Sequence, residues 1–171
     1  MFRTLTLIVL PTLLAIAAII PASSASPPPS PSPASAATAS PTPTQAENQA
    51  GIRKVLEAQQ IAWNHGDIDT FMDGYWRSRD TRFVSGDTVT RGWQTVHDRY
   101  KAKYSDHEKM GQLTFSDIEV SMFGYDGALV FGRWQLQRAT DHPHGRFTLV
   151  FRKTPDGWKI VHDHTSVADD S

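Results

Sequence analysis

Gly127-Ala-Leu-Val-Phe-Gly-Arg-Trp134, Gly145-Arg-Phe-Thr-Leu-Val-Phe-Arg-Lys153, Pro155-Asp-Gly-Trp158 and Lys159-Ile-Val-His-Asp-His-Thr-Ser166 are the runs that decide the fold. Apolar residues alternate along them, the two-residue period of a strand with one buried face, and Pro155-Asp156-Gly157 supplies a tight hairpin turn. The stretch predicts three consecutive antiparallel strands. In the last of these His162 and His164 stand two residues apart, so both project from one face with α-carbons about 6.6–6.8 Å apart, and by the same alternation Asp163 faces the opposite side.

Working outward, a strand is predicted near Gln112–Phe123, followed by Ala128–Arg138, Arg146–Thr154 and Trp158–Ser166, with turns at Gly124-Tyr-Asp-Gly127 and His142-Pro-His-Gly145. Ile52, Val55, Leu56, Gln59, Ala62 and Trp63 recur at helical spacing and predict one amphipathic helix from about Ala46 to Asn64. Gly66 stops it, and Asp67 is placed to cap a second helix with the apolar face Ile68, Phe71, Met72 and Tyr75. Short strands at Thr81–Ser85 and Thr88–Arg91 flank Gly86-Asp87, and a third helix runs from about Gly92 to Ser105 with the face Trp93, Val96, His97, Tyr100 and Tyr104. Helices first and long strands afterwards make an α+β layout with three N-terminal helices collected on one sheet face.

The N-terminal 44 residues differ in kind. They hold a single charge, Arg3, and no acid, so they do not form a water-facing globular surface. Arg3, the apolar run Leu5–Ile20 broken at Pro11, and Ser23-Ser24-Ala25 match a secretory signal peptide cleaved after Ala25. That run is 16 residues long and interrupted by a proline, whereas a bilayer span needs roughly 20, so stable membrane insertion after cleavage is not expected. Residues 26–44 are almost wholly Pro, Ser, Ala and Thr, with seven prolines. Such a composition forbids helix, buries nothing, and predicts an extended linker. Residues 45–171 then form one domain, and the expected location is secreted, periplasmic or cell-envelope. The chain has no cysteine, so its stability rests on an ordinary core rather than a disulfide framework. Setting Arg3 aside leaves 16 basic residues against 18 acidic ones, a domain charge near −2, with signs that alternate. No basic stripe is present, and nucleic acid is excluded as a partner.

The order of elements, the helix ending Trp63-Asn-His-Gly-Asp67, the Gly92 that opens the third helix, and the closing run Asp156-Gly-Trp-Lys-Ile-Val-His-Asp-His-Thr-Ser166 together resemble the nuclear transport factor 2-like superfamily. More narrowly the chain is similar to its SnoaL-like and steroid-isomerase-like branch, and the last strand also resembles the association domain of calcium/calmodulin-dependent protein kinase II. The resemblance covers about residues 45–167. It implies a cone-shaped, curved, mixed or antiparallel sheet wrapped around the three helices, open to solvent at its mouth, and a homodimer formed through the outer face of the sheet. It implies no single activity, because this fold hosts isomerases, cyclases, dehydratases and binders. Against the steroid-isomerase pattern two positions differ. The oxyanion-hole tyrosine, eight residues before the Asp of the Asn-x-Gly-Asp corner, is Gln59 here, and the general-base carboxylate falls near Ser85. In that scheme the base would be Asp87, two residues on, or one of His162 and His164.

His162 and His164 admit three roles: metal ligands if His97 or another donor joined them, acid–base groups near neutral pH, or structural hydrogen-bond partners. No metal and no cofactor is expected. Arg133 lies in an otherwise apolar strand, on one face with Phe131 and Gln135. The kinase resemblance suggests that it meets an anionic ligand, and the alternative is a salt bridge to Asp117 or Glu119. Among the many aromatic residues, Trp63, Tyr75, Trp93 and Tyr100 are expected to line the cavity, with His97 beside them. Three functions stay open: binding of a small, partly apolar molecule, cofactor-free acid–base isomerisation, cyclisation or dehydration, and dimerisation or assembly.

Overall fold

A computed structural model describes residues 43–168. The signal peptide and most of the linker read from the sequence lie outside the described residues.

The first helix, α1 (Gln45–Asn64), begins at a capping box. The Thr44 hydroxyl accepts from the Glu47 amide at 3.2 Å, while the Glu47 carboxylate accepts from the Thr44 amide at 2.7 Å. Its inward stripe of Ile52, Leu56, Gln59 and Trp63 is buried. The chain turns at Gly66 and enters α2 (Ile68–Met72), whose cap Asp67 accepts from the Thr70 amide and hydroxyl at 2.9 and 2.6 Å. This helix is shorter than the apolar spacing predicts. Tyr75 lies beyond it and bridges to Ile160 instead.

Strands β1 (Arg82–Ser85) and β2 (Thr88–Arg91) form a hairpin, and α3 (Trp93–Lys103) follows from Gly92. That glycine has φ 87°, a conformation that side chains with a Cβ rarely adopt, and it brings the chain sharply into the helix. A fourth, short helix, α4 (His107–Met110), was not anticipated; Asp106 caps it by accepting from the Lys109 amide. The long strands β3 (Gln112–Phe123), β4 (Gly127–Gln137), β5 (His144–Thr154) and β6 (Gly157–Thr165) complete a six-stranded sheet. Its order is β2-β1-β6-β5-β4-β3, antiparallel except for the parallel β1–β6 pair. The sheet is mixed, curved and unclosed, as expected.

Two bulges bend it. In β3 the register with β4 slips between Ser116 and Glu119, where Asp117 takes φ 53°. In β6 Ile160 pairs with Phe151 but His162 pairs with Val150, leaving Val161 as the extra residue. Gly132 on β4 allows the layers to close, because a Cβ there would collide with the Phe147 ring and Ile118.

The free edge of β3 is covered by α1. Gln49, Arg53, Gln60 and Asn64 form a polar stripe on the helix. Their side chains bond Val120 O (3.2 Å), Ile118 O (2.9 Å), Phe115 N (2.7 Å), and both Leu113 N (2.7 Å) and Leu113 O (3.0 Å). Backbone groups that an edge strand would leave open are thereby satisfied, and the helix is fixed across the concave face. Beneath it lies the core of Ile52, Leu56, Phe71, Val96, Val130, Phe151 and Ile160, where each fully buried side chain of this size contributes about 1.5–3 kcal/mol.

Candidate functional site

Between the helices and the sheet the core leaves a cavity of about 110 Å³. A hollow of this order holds a single small ring. Its walls are mostly apolar: Trp63 from α1, Phe71 from α2, Phe83 from β1, Trp134 and Leu136 from β4, Phe147 and Leu149 from β5. The polar groups are few and converge from different elements, an arrangement typical of small-molecule sites.

Asp163 is central among them. It lines the cavity, is 5% exposed, and its Oδ2 accepts a hydrogen bond from the Tyr75 hydroxyl at 2.7 Å. Its other oxygen, Oδ1, is buried without a hydrogen-bond partner among the described residues. Burial disfavours the charged carboxylate and pushes its pKa from 3.8 up to about 7, against the opposing pull of the Tyr75 bond. The Tyr100 hydroxyl lies 3.5 Å from that of Tyr75. Burial, and next the Asp163 charge, raise both phenols well above the ordinary tyrosine range, so they remain O–H donors. Because the Tyr75 proton is committed to Asp163, Tyr100 is the donor in the 3.5 Å contact between the two hydroxyls, a long bond that a better-placed acceptor on a guest can replace. Gln59 also lines the cavity and is anchored by donating to Phe71 O at 3.0 Å.

The structure places Trp63, Tyr75 and Tyr100 at this cavity and leaves the other candidates outside it. Unbroken alternation puts Trp158, Ile160, His162 and His164 on one face. The bulge at Val161 breaks that parity, so Trp158, Ile160 and Asp163 point inward while His162 and His164 turn to the outer face. Its cause is a change of neighbour. The edge of β6 bonds the Gly74–Trp76 segment up to Ile160, with Ile160 N to Gly74 O and Trp76 N to Ile160 O both 2.9 Å, and β1 takes over at His162. Partial burial, with Arg82 and His164 nearby, lowers the pKa of His162 outside the cavity.

Asp87 sits exposed in the two-residue turn between β1 and β2, and the β1 residues that reach the cavity are Phe83 and Ser85. Trp93 and His97 lie where α3 packs on α2. The Trp93 indole donates to Met72 O at 3.0 Å and stacks on the His97 ring, while His97 meets Asp69 at 2.6 Å and Asp98 at 3.1 Å. Only the C-terminal half of α3 reaches the hollow. Arg133 shares its face with Phe131 and Gln135 as read, but that is the outer face, since Val130, Gly132 and Leu136 are the buried positions of β4. The partner considered for it, Asp117, instead accepts from Arg146 at 2.9 Å. Among the described residues no three His, Asp or Glu side chains are grouped to hold a metal ion.

Residues 52–170 match the family model for a SnoaL-like domain. A nuclear transport factor 2-like protein of unknown function from Shewanella oneidensis MR-1 is 39% identical; the match covers 69% of this chain and 98% of that one, with a TM-score of 0.67. The chain belongs to the SnoaL-like branch of the nuclear transport factor 2-like superfamily. Its fold is also similar to that of a nuclear transport factor 2-like protein from Salmonella enterica serovar Typhimurium, at 20% identity over 75% of this chain and 96% of the other, with a TM-score of 0.61. A candidate dehydratase of the same superfamily from Streptomyces avermitilis matches at 24% identity, 73% and 99% coverage and a TM-score of 0.61. No curated protein matches the chain.

The sequence reading missed Asp163, because no residue in Lys159–Ser166 announces a bulge. A usable signal lay elsewhere. A Tyr75 hydroxyl expected inside an apolar cone requires an acceptor, and among the described residues Asp163 is the only acid that lines the cavity.

Proposed function

We propose that this SnoaL-like domain binds a small, partly apolar molecule bearing a carbonyl or hydroxyl oxygen, and that Asp163 moves a proton on it without a cofactor. The observation that carries this is a buried carboxyl group on a residue that lines an apolar cavity, with one oxygen held by Tyr75 and the other without a partner among the described residues. With a pKa of about 7, both protonation states are populated near neutral pH, as an acid–base catalyst requires.

In the ionised state the Asp163 carboxylate takes a proton from carbon beside a carbonyl, and the electron pair moves onto the carbonyl oxygen. Tyr100, a neutral phenol, donates a hydrogen bond to that developing oxyanion. In the protonated state Asp163 returns the proton to carbon, or to a departing hydroxyl. Isomerisation and dehydration are the two outcomes of this cycle. The fold is compatible with both kinds of chemistry, and the similar Streptomyces avermitilis protein is a candidate dehydratase.

Exchange of the α-hydrogens of cyclohexanone in deuterium oxide tests the reading without knowledge of the natural substrate. The protein should accelerate exchange over buffer, and Asp163→Asn should reduce that acceleration by about 100-fold or more. Equal acceleration by both proteins would remove Asp163 from the chemistry.

A further inference from the structure

The charges around the cavity have a polarity of their own. Besides Asp163, the ionic groups that line it are Arg99 and Lys103, which stand one turn apart on α3 and therefore present their heads on the same side. Lys103 is exposed and Arg99 half-buried, whereas Asp163 is buried, so the cations lie at the solvent end and the acid in the interior. Neither cation has a carboxylate within ion-pair distance among the described residues. The Arg99 guanidinium lies 5.1 Å from the Phe83 ring centre and donates one bond, at 2.7 Å, to the Thr90 hydroxyl. Its remaining N–H groups make no other side-chain bond among the described residues. The Lys103 ammonium lies 5.2 Å from the Tyr104 ring centre. Phe83 and Tyr104 are themselves cavity walls, so both cations sit at the point where the apolar lining meets water.

A cation near the end of a helix also complements the helix dipole, and that alone would account for Lys103. It does not account for Arg99, one turn earlier, fixed by Thr90 and turned to the same rim.

We infer that Arg99 and Lys103 form an anion-binding mouth, and that the guest of this cavity is a small organic carboxylate whose single-ring body lies among the aromatic walls. A guanidinium binds a carboxylate through paired N–H donors, and a neighbouring ammonium adds charge without fixed geometry. The carboxylate stays at the rim, while the far end of the body is directed toward Asp163 and Tyr100. This inference rests on the proposal that the cavity is the ligand site, and it moves anion recognition from the outward-facing Arg133 to α3.

Calorimetric titration of the full chain at pH 6 with phenylacetate and with its neutral counterpart 2-phenylethanol tests it. Phenylacetate should bind at least about tenfold more tightly than 2-phenylethanol, and the difference should shrink as salt is raised. Arg99→Gln and Lys103→Gln should each weaken phenylacetate about tenfold and leave 2-phenylethanol unchanged, which also shows that the variants are folded; Arg99→Lys should restore part of the loss. If 2-phenylethanol binds as tightly as phenylacetate, or if the variants leave phenylacetate unaffected, the anion mouth is overturned while the cavity remains a ligand site. If neither compound binds, both proposals fall.

Discussion

A carboxyl group that keeps its proton to about pH 7 makes the fold pay for the ionised form above that pH. In the unfolded chain Asp163 titrates near 3.8 and in the folded chain near 7, so between these values the native state holds a proton that the unfolded state has lost. The sign follows. The contribution of this group to stability is greatest below about pH 4, falls through the window and levels off above about pH 7, a total loss of about 4 kcal/mol. Urea unfolding from pH 4.5 to 8 should show the slope in the wild type, and Asp163→Asn should flatten it. Parallel profiles for the two proteins would contradict a buried, protonated Asp163. At this scale the sequence revealed one half of the pair. Tyr100 was legible because helical spacing is regular along α3, and Tyr75 as one of a cluster of large aromatic residues, whereas Asp163 depends on a single inserted residue, Val161, that no local pattern marks.

Elements place these residues by meeting one another's unsatisfied backbone. β6 carries Asp163 inward because its edge is shared between the Gly74–Trp76 segment and β1, with the bulge at the junction. At the other end of the sheet α1 satisfies the edge of β3 through side chains alone, and Asn64 does most by bonding both backbone groups of Leu113. Removing that amide leaves a part-buried donor and acceptor without partners, so Asn64→Ala should cost about 2 kcal/mol in chemical denaturation with the slope of the transition unchanged. A loss below about 0.5 kcal/mol would mean that the helix does not close the edge. Element order and strand limits were readable from the sequence because alternation and turn residues act locally. The capping of β3 was not, since Gln49, Arg53, Gln60 and Asn64 look like an ordinary solvated stripe until the strand beneath them is known.

For the molecule as a whole, the cone follows from these two edge arrangements together with a core that fills most of the concave face. What the core leaves open is a ring-sized hollow with cations at the mouth and an acid inside. The fold was legible because six strands and three main helices each announce themselves in order, and the family resemblance supplied the curvature. The site was half legible: aromatic walls were visible, but the choice between the two histidines and the aspartate lay in strand parity. The account therefore turns on the inward aspartate. Carbon-13 NMR of side-chain carboxyl groups, followed from pH 3 to 9 in wild type and Asp163→Asn, measures it directly. One carboxyl resonance should titrate with a midpoint of about 7 and be absent from the variant; if every carboxyl in the wild type titrates below about pH 5, in the ordinary carboxylate range, Asp163 is a solvated surface group and the proposed chemistry is wrong.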